Sequence, residues 1–356
     1  MRTNPCVFGV ILLAVIVLAP WTAPAQLRIG ANPNGAKKIL KVLYITERSI
    51  RGGADHRKLF GFERAPIHFG ICEVGIPPKH KIGSLESSTF SWDPTTDVVF
   101  SSVELHDEFA PLLMQLRTDL KPNPHVFIFI HGYANSFESA GRRTAQMWDD
   151  LNLEGVPIMY SWASQGSPRN FLEDKETVHD WTSKQFGKFL RMLTGQTEDV
   201  RVHLVAHSMG SRPLMEALAT IGTSTSPTAS QPFDQIVLFA PEIPSKQFQE
   251  LVPQARQLSR RLSVYASAED EALQFIRRIF PEDKEPRTGD LRSSPTDIKG
   301  IDVIEATSIN YTLNGHDYYA NNRIVLSDLR EVLEGVPVEQ RKELQRSISG
   351  HYEFRR

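Results

Sequence analysis

V-R-V-H-L-V-A-H-S-M-G-S-R-P-L-M-E-A-L-A-T-I, residues 200–221, holds the change of periodicity on which the fold turns. Val200 to Val205 alternates as a strand does, whereas Leu214, Leu218 and Ile221 recur at helical spacing from Ser211 onward. Between them Ala206-His207-Ser208-Met209-Gly210 must reverse the chain within a few residues. A serine at the apex of such a turn takes a strained backbone, and small residues two before and two after it let strand and helix approach. Ala206 stands where glycine is usual, and alanine is small enough. The plainer reading of Ser208 is an N-cap for the helix that follows.

Outward from this turn, buried-strand patterns fall at His125 to Ile130, Val156 to Tyr160, Asp234 to Ala240, Leu262 to Ala266 and Ile301 to Ala306. Helical patterns lie between most of them: His106 to Leu120, Phe137 to Leu151, Asn170 to Leu193, Gly210 to Ile221 and Ser245 to Gln257. That rhythm predicts an α/β fold, a mostly parallel central sheet with helices on both faces. Ile39 to Thr46, His68 to Ile76 and Asp97 to Leu105 read as N-terminal antiparallel or edge strands. Right-handed crossovers put the strand C-termini on one edge, where ligands bind in such sheets. Gly222 to Pro232 and Pro281 to Gly300 read as surface loops, the second long enough to be a lid. A charged helix is expected over Val338 to Ile348, and one domain over residues 39–356.

Ser208 needs a base and an acid. In strand-turn-helix sites of this kind they follow the serine as acid, then histidine. Of 11 histidines, His316 and His351 lie beyond Ser208. His316, in the turn Asn314-Gly315-His316-Asp317, is the candidate, and His351 is expected to be solvated. His207 precedes the serine and should point away from its oxygen. Asp270 in Ser267-Ala268-Glu269-Asp270-Glu271 follows a strand and is the preferred acid, with Glu242 in Ala240-Pro241-Glu242 its rival. The turn His131-Gly132-Tyr133 after an apolar strand suggests an oxyanion hole made by the N–H groups of Tyr133 and Met209. Tyr160 and Trp162 either line a substrate-binding pocket or belong to the core. The set needs the three functional groups to converge at an accessible edge of the sheet.

Composition narrows the partners. Forty basic against 42 acidic residues leave no single-sign field for nucleic acid, so a small-molecule substrate is expected. No Cys/His pair has zinc-ligand spacing; neither metal nor cofactor is expected. Residues 1–25 read as a signal peptide, with Arg2, the apolar run Val7 to Ala19 and Ala23-Pro24-Ala25 before the cleavage point. Export to the periplasm or medium follows, or anchoring if the segment stays uncleaved, with residues 26–38 as linker. Cys6 lies inside that segment, so Cys72 has no disulfide partner in a cleaved chain and reads as a buried inert thiol.

F-I-H-G-Y (129–133), Y-S-W-A-S-Q-G-S (160–167), A-H-S-M-G (206–210), L-F-A-P-E-I (238–243), Y-A-S-A-E-D-E-A-L (265–273) and G-H-D-Y-Y (315–319) together resemble the bacterial esterase/lipase-like alpha/beta-hydrolases called domain of unknown function 900. I-T-E-R (45–48) and E-V-G-I-P (73–77) resemble that family's N-terminal strands. The resemblance implies an alpha/beta-hydrolase fold and a Ser208–Asp270–His316 set acting on carboxylic esters or related acyl compounds, without a cofactor. Two departures, Trp162-Ala163 where Trp-Pro is usual and Glu242 where Asp is, bear on pocket shape and on the Glu242 loop. A catalytically silent binding module and a lipid-directed lipase or phospholipase are the alternatives.

Overall fold

The computed structural model describes residues 27–30, 34–88, 92–106, 108–112, 124–165, 167–194, 200–223, 231–280, 285–292, 298–309 and 315–355. The signal-peptide expectation for residues 1–25 lies outside them, as do residues 113–120 of the helix expected from His106.

One short and two long strands open the described fold: β1 (Leu27–Gly30), β2 (Lys38–Ile50) and β3 (Phe60–Ile76). With β4 (Val99–His106) they form an antiparallel sheet edge in the order β1-β4-β3-β2. β1 falls within the stretch expected as linker, paired from Leu27 opposite Leu105 to Gly30 opposite Ser102. The parallel part follows: β5 (His125–Ile130), β6 (Gly155–Ser161), β7 (Arg201–His207), β8 (Phe233–Phe239), β9 (Ser259–Ala266) and β10 (Asp302–Glu305). Beyond them lie β11 (Leu344–Arg346) and β12 (Tyr352–Phe354), completing one sheet in the order β1-β4-β3-β2-β6-β5-β7-β8-β9-β10-β12-β11. The mostly parallel sheet with antiparallel N-terminal strands is as expected.

Side chains of β5 show why helices cover both faces. Phe127 and Phe129 enter one core with Trp148 and Met147 of α1 (Phe137–Leu151), while Val126, Ile128 and Ile130 enter the other. Beyond His125 the strand is apolar because no face of it meets water. Five helices follow α1: α2 (Phe171–Thr177), α3 (Ser183–Thr194), α4 (Ser211–Thr223), α5 (Ser245–Leu258) and α6 (Glu271–Ile279). Then come the short α7 (Tyr318–Asn321) and α8 (Arg323–Leu333). The fold is held by packing: each fully buried large apolar side chain is worth about 1.5–3 kcal/mol, and Cys72 is a buried free thiol.

Four expectations are corrected. The single helix over Asn170 to Leu193 is broken by a π-turn at Val178–Thr182, which lets the Thr182 hydroxyl bond to Glu47 and the Ser183 hydroxyl donate to Glu216 at 2.6 Å. Val338 to Ile348 is a short 3-10 turn and then β11, because Leu344 and Phe354 gain burial by pairing as a hairpin around the Ser347–Gly350 turn. His351 is not solvated; its Nε2 sits 2.8 Å from Glu305 Oε2 with the side chain 8% exposed. Within Pro281 to Gly300, residues 285–292 are pinned rather than loose: Ser245 and Thr288 N–H groups bond to Pro286 and Ile243 carbonyls at 2.8 and 2.9 Å, and Arg287 is fully buried. A charged loop stays inside when its charges find partners there. Residues 224–230 of the loop expected over Gly222 to Pro232 lie outside the description.

Candidate active site

β7 ends at His207, and the chain turns through Ser208 with φ +52°, a left-handed backbone that a residue with a Cβ adopts at a cost. The turn is pinned by its own carbonyl, since Ser208 O accepts from Glu242 N–H at 3.2 Å and from the Ser211 hydroxyl. Two glycines mark close approaches around the turn. A Cβ at Gly210 would fall 2.4 Å from the His131 carbonyl oxygen, and one at Gly132 would fall 3.1 Å from Ser208 Cβ. The loop after β5 therefore lies against the apex.

β9 leads into Asp270, the candidate acid. Asp270 N-caps α6, its Oδ1 accepting the Leu273 N–H at 3.0 Å, and it points Oδ2 at His316 Nδ1, 2.8 Å away. A carboxylate facing Nδ1 fixes the proton on that nitrogen and presents Nε2 for other work. Burial works against a charged His316 ring, but Asp270 outweighs it, with smaller help from Asp317 and Glu242, so its pKa lies above the ordinary value. The histidine backbone is held too. His207 Nε2–H donates to His316 O at 3.2 Å, and the His207 ring stacks on Tyr319 with centroids 4.0 Å apart. Tyr318, two residues on, anchors the chain by donating its hydroxyl to the Tyr265 carbonyl at 2.9 Å.

Glu242, the rival acid, is engaged elsewhere. Its oxygens take Arg212 Nη2 at 2.9 Å and Arg287 Nε at 2.6 Å, all three residues being buried. Burial alone would raise this carboxyl, yet Arg212 and Arg287 hold it below the usual range. As a neighbour it acts on His316 electrostatically and fixes the turn through its N–H.

Ser208 departs from the open rim that the sequence suggests. The residue is 1% exposed and its Oγ makes no hydrogen bond to a described residue. Beside it the Tyr133 ring meets Phe171 edge-on at 5.5 Å, and Phe171 stacks on Phe280 at 5.2 Å. Tyr160 and Trp162 are core, not pocket lining. The Tyr160 hydroxyl donates to Glu47 at 2.9 Å, and Trp162 Nε1–H donates to the His131 carbonyl at 2.7 Å.

Two buried groups escaped the sequence reading. Glu47 and Arg48 are both fully buried; burial pushes the Glu47 carboxyl up to about 7 despite hydrogen bonds from Thr182 and Tyr160. Nothing in an alternating strand marks its charged residues as inward. Among the described residues no group of His, Cys, Asp and Glu could hold a metal ion.

Ser208 sits at a left-handed apex between β7 and α4, and Asp270 after β9 is bonded to His316 after β10, on a mostly parallel sheet flanked by helices, the fold of an alpha/beta-hydrolase. Residues 111–334 match the family model described as alpha/beta hydrolase of unknown function (DUF900), and the chain belongs to that family. Among solved structures it is similar to phospholipase PlaB from Legionella pneumophila in complex with thio-NAD, at 12% identity and TM-score 0.35, covering 63% of this chain and 66% of that one. It is also similar to a metagenomic carboxyl esterase, at 12% identity and TM-score 0.25, covering 46% of this chain and 57% of that one. The chain thus spans less than two thirds of either protein. No curated protein matches the sequence.

Proposed function

We propose that the protein is a serine hydrolase cleaving carboxylic esters or related acyl compounds. Ser208 Oγ attacks the carbonyl carbon while His316 Nε2 takes its proton. Asp270 keeps the imidazole in the Nδ1–H tautomer and stabilises the imidazolium. The tetrahedral oxyanion is met by the N–H groups of Met209 and Tyr133, each such donor worth about 3 kcal/mol. His316 then returns the proton to the departing alcohol, leaving the acyl group on Ser208, and a water deprotonated by His316 releases it.

The observation that carries this reading is the 2.8 Å contact between His316 Nδ1 and Asp270 Oδ2, at the edge where Ser208 holds a strained backbone. Its demand is that the cover over Ser208 opens for substrate; catalytic contacts often tighten only when substrate is bound. The buried, unbonded hydroxyl is what favours the second reading, a binding module that keeps the fold and performs no chemistry. A fluorophosphonate probe separates the two. Adduct on Ser208, lost in Ser208→Ala and sharply reduced in His316→Ala, supports the hydrolase; an unlabelled, folded wild-type protein supports the binding module.

A chain-length panel of model esters tests a lipid-directed variant of the same chemistry. Export belongs to the same proposal: N-terminal sequencing of protein recovered outside the cytoplasm should begin at Gln26. A retained residue 1 in the membrane fraction would instead mark an anchored protein.

A further inference from the structure

Three carbonyls of the loop Gly132-Tyr133-Ala134-Asn135 accept hydrogen bonds, those of Gly132, Tyr133 and Asn135, and the donor that ties the loop to β2 is Arg48. Its guanidinium, fully buried at the end of β2, donates four times: Nη2 to Asn135 O at 2.7 Å, Nη1 to Ser164 O at 3.0 Å and to Gly61 O at 3.1 Å, and Nε to Ser161 Oγ at 2.9 Å. The last bond begins a chain. Ser161 Oγ lies 3.4 Å from His131 Nε2, and His131 Nδ1 lies 2.7 Å from Gly132 O. A carbonyl oxygen only accepts, so Nδ1 carries the ring proton and Nε2 accepts from Ser161. Burial, with Arg48 nearby, pushes the His131 ring down to about 3, which keeps it neutral in ordinary buffers. Asn135 Nδ2, on the residue whose carbonyl Arg48 holds, donates back to Tyr133 O at 3.0 Å and Gly132 O at 3.3 Å.

Two donors on Gly132 O fix the plane of the Gly132–Tyr133 peptide. In a trans peptide the N–H lies opposite the C=O, so fixing Gly132 O also fixes the direction of Tyr133 N–H. Gly132 itself sits where a Cβ would touch Ser208 Cβ.

We infer that Arg48 is a positioning residue for the reaction, a clamp that acts through Ser161, His131 and Asn135 to set the Tyr133 N–H as an oxyanion donor. The inference rests on the serine-hydrolase reading and goes beyond it by assigning a role to a buried arginine that touches no reacting atom. A lysine offers no planar fork and cannot reproduce four divergent bonds.

The test compares an oxo-ester with its thionoester, whose larger, weakly accepting sulfur gains little from the same donors. Arg48→Met should lower oxo-ester kcat about 10- to 100-fold with KM within about threefold. Thionoester turnover should fall far less, so the oxo-to-thiono ratio collapses. Arg48→Lys should recover only part of it. Ser161→Ala removes one hydroxyl, should keep the fold by circular dichroism, and should reduce the ratio in the same direction; it carries the test if Arg48→Met does not fold. Wild-type ratios in Ser161→Ala and in every folded Arg48 variant overturn the clamp while leaving the hydrolase intact. Wild-type protein that takes no fluorophosphonate on Ser208 and cleaves no ester overturns the hydrolase reading, and the clamp with it.

Discussion

Asp270 uses its two carboxylate oxygens for two different purposes: Oδ1 caps α6 through Leu273 N–H at 3.0 Å, and Oδ2 holds His316 Nδ1 at 2.8 Å. Asparagine can keep the cap but presents an amide to the ring. Asp270→Asn should therefore melt close to wild type and lose about 10⁴-fold in kcat, because the imidazole settles in the wrong tautomer. Asp270→Ala should lose a comparable factor and about 1 kcal/mol of stability as well. Steady-state kinetics with a model ester and a thermal melt read both; a near-normal kcat in either variant removes Asp270 from the relay.

The pH dependence follows from the charge around His316. The base works neutral, and Asp270 holds the buried ring's pKa above its ordinary value. kcat/KM should rise with pH through an inflection above about 6.5. In Asp270→Asn that inflection should move down. For stability the sign is the reverse: His316 gains protons on folding, so its contribution is complete below the unfolded pKa and is lost as pH rises through the folded one. A profile flat from pH 5 to 9 would show that His316 does not limit the reaction.

Glu242 should behave as structure. Glu242→Gln leaves Arg212 and Arg287 buried without their shared anion, an expected cost of about 3–5 kcal/mol. Its folded carboxyl lies below the usual range, so the stability it gives is present above the unfolded pKa and lost as pH falls through the folded one. Urea titration at pH 7 and pH 4 should show the gap between wild type and variant narrowing in acid. Full stability with abolished turnover would transfer the acid's role to Glu242.

The contact between the two loops is tight enough to test with one methyl group. A Cβ at Gly210 lands 2.4 Å from the His131 carbonyl, which is backbone and cannot rotate away. Gly210→Ala should cost about 1–3 kcal/mol and slow labelling of Ser208. Unchanged melting and labelling would mean that the elbow and the His131 loop do not need this approach.

The parallel strands were legible because fully buried strands carry unbroken apolar runs that stop at turn residues, as Val126 to Ile130 and Ile236 to Phe239 do. Candidate residues were legible for a different reason: Ser208, Asp270 and His316 each follow a strand, and chain order limits the choice. The C-terminal hairpin was not, because β11 and β12 are only three residues each and their pairing is decided by what lies beside them. Nor was the pinned segment at residues 285–292, whose Arg287 and Asp290 look like surface charges until Glu242 and Arg277 are placed against them.

By itself the sequence determined the α/β rhythm, the elbow at Ser208 and the candidates for its partners, since periodicity and turn chemistry are local properties of the chain. Only the tertiary structure decided that His316 meets Asp270 and not Glu242, that Tyr160 and Trp162 are core, that Ser208 lies covered, and that Arg48 reaches across to the His131 loop. Those facts depend on which distant side chains share a low-dielectric interior, where a charge must find its partner across 46 residues for His316 and Asp270, or across 87 for Arg48 and Asn135.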